Sequence, residues 1–93
     1  MRAKIIKAAL ALATKKGYRL VRRDDVAEKA GVSIGLVTHY FGGMEGLREA
    51  IVNQAIESNN MAVLAEALVA QHPAMSEISA DQHNAILSYI ATM

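Results

Sequence analysis

The chain has 93 residues, 53% of them hydrophobic but only four aromatic, and ten Lys or Arg stand against nine Asp or Glu. That length allows one small domain burying only about 60–65% of its unfolded surface, so association with a partner is an expected supplement. Without cysteine there can be no disulfide framework, thiolate zinc site or cysteine nucleophile.

Every element reads as a helix, because no period-2 run of β-branched and aromatic residues occurs. Ile5, Ala8 or Ala9, Leu12 and Ala13 recur at helical spacing over residues 2–16, with Ile6 and Leu10 widening the stripe. Gly17 stops this helix, and Lys15 and Lys16 occupy its last turn, where cations suit the helix dipole. After Tyr18 and Leu20 a short helix is predicted over 23–30, with Asp24, Asp25 and Glu28 near its start and Gly31 just past its end. Ser33 is a good N-cap for a third helix running to about Phe41, which Gly42 and Gly43 break. From about Glu45 a longer pattern carries Leu47, Ala50, Ile51, Gln54, Ala55 and Ser58, then Met61, Ala62, Leu64, Ala65 and Leu68. The weak helix formers Ser58, Asn59 and Asn60 leave one helix or two open there. His72 and Pro73 end the pattern, residues 71–78 are the one candidate linker, and Ser79 with Gln82 makes a capping-box pattern before Ile86, Leu87, Ile90 and Met93.

Charge is segregated along the chain. All ten basic residues fall in residues 1–48 with four acids, a balance of +6, whereas residues 49–93 carry five acids and no Lys or Arg, a balance of −5. A polyanion is drawn to the first half and repelled by the second. The same first half has the spacing of a helix-turn-helix over 23–41. Ala27 is small where two short helices must cross, Gly31 permits a left-handed turn, and Val26, Ala30, Val32, Val37 and Tyr40 are placed to face inward.

These residues carry a resemblance. Ile5–Ala8–Ala9–Leu12, Gly17–Tyr18, Val26 through Ser33, Gly35, His39–Tyr40–Phe41, Glu45 and Leu47 resemble the N-terminal DNA-binding domain of the tetracycline-repressor (TetR) family. The resemblance covers residues 5–51, about half the chain, and implies a three-helix domain whose third helix enters the major groove of operator DNA. Such proteins act as dimers on palindromic sites, usually as repressors. This chain departs from that pattern in three places. Arg22 and Arg23 stand where the family usually has Thr before the second helix, Met44 stands in place of a Lys, and Thr38 in place of a Tyr. Residues 52–93 are also too few for the family's usual ligand pocket, so no small-molecule effector is expected.

The expected fold is all-α. A three-helix bundle with a homeodomain-like or TetR-like helix-turn-helix (1–47) is followed by two or three dimerisation helices (48–93), packed together as one unit. The opening turn of the third helix, Ile34, Gly35 and Leu36, is the part that meets base edges in such docking: Gly35 allows close approach, and Ile34 and Leu36 suit thymine methyls. Ser33, Thr38, His39 and Tyr40 are candidate phosphate donors, with the rings of Tyr40 and Phe41 expected in the core. Arg22 and Arg23 are the leading long-range contacts, one for phosphate and one for a guanine edge, and Arg2 and Lys4 are placed for flanking phosphates.

The near-apolar run Met61–Ala70 exceeds what one amphipathic face needs, which points to a surface shared with a second copy through Met61, Leu64, Ala65, Leu68, Ile86, Leu87 and Ile90. The run is also half the length of a membrane span, which needs roughly 20 residues. No cleavable apolar leader follows Arg2, Lys4 and Lys7, so the expected partners are duplex DNA and a second copy in the cytoplasm, without a membrane. His39, His72 and His83 lack metalloenzyme spacing, and no nucleophile elbow or glycine-rich phosphate loop occurs, so neither enzymatic activity nor a metal or other cofactor is expected. The alternative from another class is a protein-binding helical module, such as an anti-repressor acting on another regulator.

Overall fold

The computed structural model describes residues 1–92, and Met93, the last position of the predicted C-terminal stripe, lies outside the described residues. Six α-helices follow one another: α1 (Arg2–Lys16), α2 (Arg23–Ala30), α3 (Ile34–Phe41), α4 (Met44–Ser58), α5 (Met61–Val69) and α6 (Ala80–Ala91). Two 3-10 segments, Tyr18–Leu20 and Pro73–Glu77, join α1 to α2 and α5 to α6. The all-α expectation holds, and no strand occurs among the described residues.

Local chemistry explains each boundary. α1 buries Ile5, Ile6, Ala8, Ala9 and Ala13 and stops at Gly17, whose φ of 92° an L side chain rarely adopts. The Lys16 ammonium at its end holds the Asp25 carboxylate of α2 at 2.8 Å. α2 ends at Gly31 in the left-handed region, φ 71°. There Val32 N–H donates to the Ala27 carbonyl at 3.0 Å and Gly31 N–H to the Glu28 carbonyl at 3.2 Å, the Schellman pattern that closes a helix. Ser33 Oγ then accepts Leu36 N–H at 3.1 Å and starts α3. Val26, Ala27, Ala30 and Val37 are buried where the two helices cross, as the small-residue argument requires.

One cluster of buried residues runs from Ile5 through Leu47, Ile51 and Leu64 to Ile86, so both halves of the chain share a core. α4 ends at Asn59 in the left-handed region, φ 57°, and Asn60 Oδ1 accepts Val63 N–H at 3.2 Å to cap α5. The question over 45–70 is thereby resolved as two helices. Asn60 also donates from Nδ2 to Thr14 Oγ1 at 2.8 Å, which ties this corner to α1.

Two expectations about the second half are corrected. The segment read as a linker is mostly the Pro73–Glu77 3-10 turn, with Ala74 and Met75 buried; His72 Nδ1 accepts Ala74 N–H at 3.1 Å to start it. That turn packs against α4 and brings α6 onto α5, so with α4 and α6 around it Val63, Leu64, Ala65 and Ala67 are buried within the chain. Leu64, Ala65 and Ile86, expected at a dimer surface, are therefore core side chains with nothing to offer a second copy. Met61, Leu68 and Ile90 are half-buried against the same core, and Leu87 is exposed. The Ser79 cap is present, Oγ accepting Gln82 N–H at 3.1 Å, but the reciprocal half of the capping box is not. The Gln82 amide donates instead to the Ile56 carbonyl at 3.0 Å and to Asn59 Oδ1 at 3.2 Å, locking α6 to the end of α4.

Candidate nucleic-acid interface

The first turn of α3 faces outward. Ile34 is 48% exposed, and Gly35 beside it is exposed as well. A Cβ added at Gly35 would meet only Ser33 Oγ at 3.9 Å, an ordinary contact, so nothing in the fold requires glycine there. A glycine inside a helix costs about 1 kcal/mol relative to alanine. An exposed helical glycine without an internal reason leaves the backbone bare for close approach by a ligand. Gly46 shows the opposite case: a Cβ there would collide with the Phe41 carbonyl oxygen, so that glycine serves the α3–α4 corner.

Leu36, expected beside Ile34 at the surface, is half-buried and leans onto the core. Tyr40 reverses the other way, being 38% exposed although its ring was expected inside. α2 and α4 are the main neighbours of the short α3, and Phe41, four residues after Val37, takes the inward position and packs against the core. The Tyr40 ring stands edge-on to His39 at 5.5 Å, and both belong to the outer face. Ser33 is exposed, and its hydroxyl is already engaged as the cap of α3.

Arg23, the first residue of α2, is half-buried and donates from Nη1 to Thr38 Oγ1 at 3.1 Å, so these two candidates are one structural unit. Arg22 is exposed and pairs loosely with Asp24 at 3.9 Å. In water such a pair is worth well under 1 kcal/mol, and a phosphate could displace it. At the start of α1 the Arg2 guanidinium sits 4.8 Å from the Phe41 ring centroid, which brings the head of α1 to the tail of α3. Lys4 is exposed, and among the described residues neither it, Arg2 nor Arg23 has an acidic partner within salt-bridge distance.

Between the starts of α2, α3 and α4 lies an open cleft of about 450 Å³, lined by Arg19, Val21, Arg22, Arg23, Asp24, Ile34, Met44 and Arg48. Four guanidinium groups against one carboxylate give it a net charge of +3, suited to an oligoanion. Arg19 and Arg48 were missed by sequence reasoning. They come from the 3-10 turn and from α4, and only the fold brings them together, with Arg48 Nη2 donating to the Arg19 carbonyl at 3.4 Å. The pairing spans 29 residues and has no local signature beyond the positive charge itself.

None of the three histidines sits in a metal-binding group: among the described residues no cluster of three or more His, Asp or Glu could hold an ion. His72 instead caps a turn and presents an edge to the Tyr18 ring at 5.9 Å. Among the described residues no helix is long and apolar enough to cross a membrane.

The family model described as bacterial regulatory proteins, tetR family, matches residues 5–51, which are α1 to α3 and the first half of α4. The HTH-type transcriptional regulator BetI 2 of Chromohalobacter salexigens is 34% identical over 88% of this chain and 37% of its own length. The uncharacterized HTH-type transcriptional regulator YvkB of Bacillus subtilis is 41% identical over 55% of this chain and 27% of its own. The HTH-type transcriptional regulator BetI of Vibrio campbellii is 27% identical over 86% of this chain and 36% of its own. The chain thus spans little more than a third, or less, of these curated relatives. No solved structure matches it.

Proposed function

This chain belongs to the tetR family of bacterial regulatory proteins, and from that premise we propose that it is a sequence-specific DNA-binding transcriptional regulator, acting as a repressor on a palindromic operator. The observation that carries the reading is the opening turn of α3, where Ile34 is 48% exposed and Gly35 is open to solvent without an internal need for glycine. The turn lies beside the basic cleft, so an inserted α3 would have phosphate-binding groups on its flank: Arg22, Arg19 and Arg48 in the cleft, with Arg2 and Lys4 at the head of α1. Ser33, His39 and Tyr40 line the outer face as secondary donors. No enzymatic role is proposed.

Homodimerisation is the second part of the proposal. Its surface is the apolar remainder of α5 and α6: Leu87 at 45% and Val69 at 73% exposure, with the outer edges of Met61, Leu68 and Ile90. Two copies related by a two-fold axis would set two α3 helices about 34 Å apart or a multiple of it, one turn of duplex.

Selection of bound fragments from a random duplex pool at low salt tests the whole reading. The expected product is a palindrome whose half-sites are spaced by whole helical turns, bound with an affinity that falls steeply as salt rises because phosphate contacts release counterions. Failure to retain any duplex would overturn the regulator reading in favour of a protein-binding module. A monomer mass by light scattering at micromolar protein would overturn the dimer.

A further inference from the structure

We propose that Arg23 and Thr38 form a composite base-reading unit, in which Arg23 recognises guanine at one position of the operator half-site and Thr38 is the residue that positions it. The inference rests on the duplex-binding reading above. Arg23 opens α2 and Thr38 lies in the second turn of α3, and the bond from Nη1 to Oγ1 at 3.1 Å carries the guanidinium across the gap between the two helices. An arginine left free at a helix start would sample many rotamers and act as a diffuse positive charge, the ordinary behaviour of a phosphate contact. Held by Thr38, it is fixed in direction.

The donor inventory then decides what it can read. A guanidinium has five N–H groups, of which the bond to Thr38 engages one. The Nε–H, the second Nη1–H and both Nη2–H groups remain, and among the described residues no carboxylate pairs with Arg23 to claim them. Two parallel donors match the O6 and N7 acceptors of guanine in the major groove. Adenine and thymine each offer a single acceptor there and cytosine a donor, so they cannot satisfy the fork. The surroundings agree. Ile34 lies one helical turn before Thr38 on the same face of α3 and lines the same cleft as Arg23, so it is placed against the neighbouring base pair. Arg23 is half-buried, which shields the contact from salt more than an exposed arginine such as Arg22.

The test measures competition binding on a panel of duplexes in which every position of the selected site carries each base pair in turn. For the unsubstituted protein, replacing the guanine at one position of each half-site is expected to lower affinity about tenfold to a hundredfold. Thr38→Val, which keeps the shape and removes the acceptor, is expected to shrink that penalty to a few-fold while leaving the other positions and the salt dependence as they were. Thr38→Ser is expected to restore it. If Thr38→Val instead weakens all sequences equally and lowers the slope of log affinity against log salt by about one contact, the hydroxyl is a phosphate donor and the proposal is overturned. A guanine penalty that survives Thr38→Val undiminished overturns it as well. Should the unsubstituted protein select no site at all, the duplex-binding reading itself has failed, and that result precedes any comparison of variants.

Discussion

α3 and α5 are both short apolar helices, IGLVTHYF and MAVLAEALV, yet they meet opposite fates. α5 buries Val63, Leu64, Ala65 and Ala67, whereas α3 buries Val37 alone and leaves Ile34 and Tyr40 exposed. Composition does not separate them; the number of neighbours does. α5 is enclosed by α4, α6, α1 and the turn before α2, while α3 rests on α2 and α4 and turns its remaining sides outward. Apolar side chains kept at the surface of a helix that the fold could have covered, beside a glycine the fold does not need, are what a surface for a partner looks like.

The largest test of this contrast is Val37→Asp, which puts a charge without a partner at the fully buried crossing of α2 and α3. It is expected to cost more than about 4 kcal/mol and leave no folded protein by circular dichroism. Leu64→Ala against Ile34→Ala compares the two helices directly. The first is expected to cost about 2–5 kcal/mol in urea unfolding, because Leu64 is fully buried. The second is expected to change stability by no more than about 0.5 kcal/mol and to weaken duplex binding, so equal stability losses would erase the contrast. Arg23→Ala is expected to weaken operator binding by about 1–3 kcal/mol with an unchanged circular dichroism spectrum, and unchanged affinity would remove Arg23 from the interface. Gly35→Ala is the smallest and most discriminating change. It is expected to stabilise the fold by about 0.5–1 kcal/mol and yet to lower DNA affinity, two measurements that move in opposite directions only if the glycine serves something outside the chain.

Arg48 and Tyr40 show where sequence reasoning reached its edge. The boundaries of α1, α2 and α3 followed from Gly17, Gly31 and Ser33, because capping and left-handed turns are decided by residues within one helical turn of each other. Arg48 contributes to the basic cleft through a bond to the Arg19 carbonyl, 29 residues away, and no local pattern encodes that meeting. Both Tyr40 and Phe41 were expected inside, but only Phe41 packs against the core and Tyr40 stays 38% exposed, a difference between adjacent residues that helical periodicity does not resolve.

The apolar run of the second half makes the same point on a larger scale. Its amino acids favoured burial of most of it, since ten residues with a single charge carry more apolar surface than one solvated face would, and Val69 alone of them stays largely exposed. Whether this chain or a second copy would bury it depended on the Pro73–Glu77 turn and on Gln82 reaching back to Ile56, which fold α6 over α5. Chain-local chemistry thus determined the six helices, the left-handed turn between α2 and α3 and the charge of the first half. Tertiary packing decided which apolar faces were closed and which basic side chains were gathered into one cleft, because burial and proximity depend on neighbours distant along the chain.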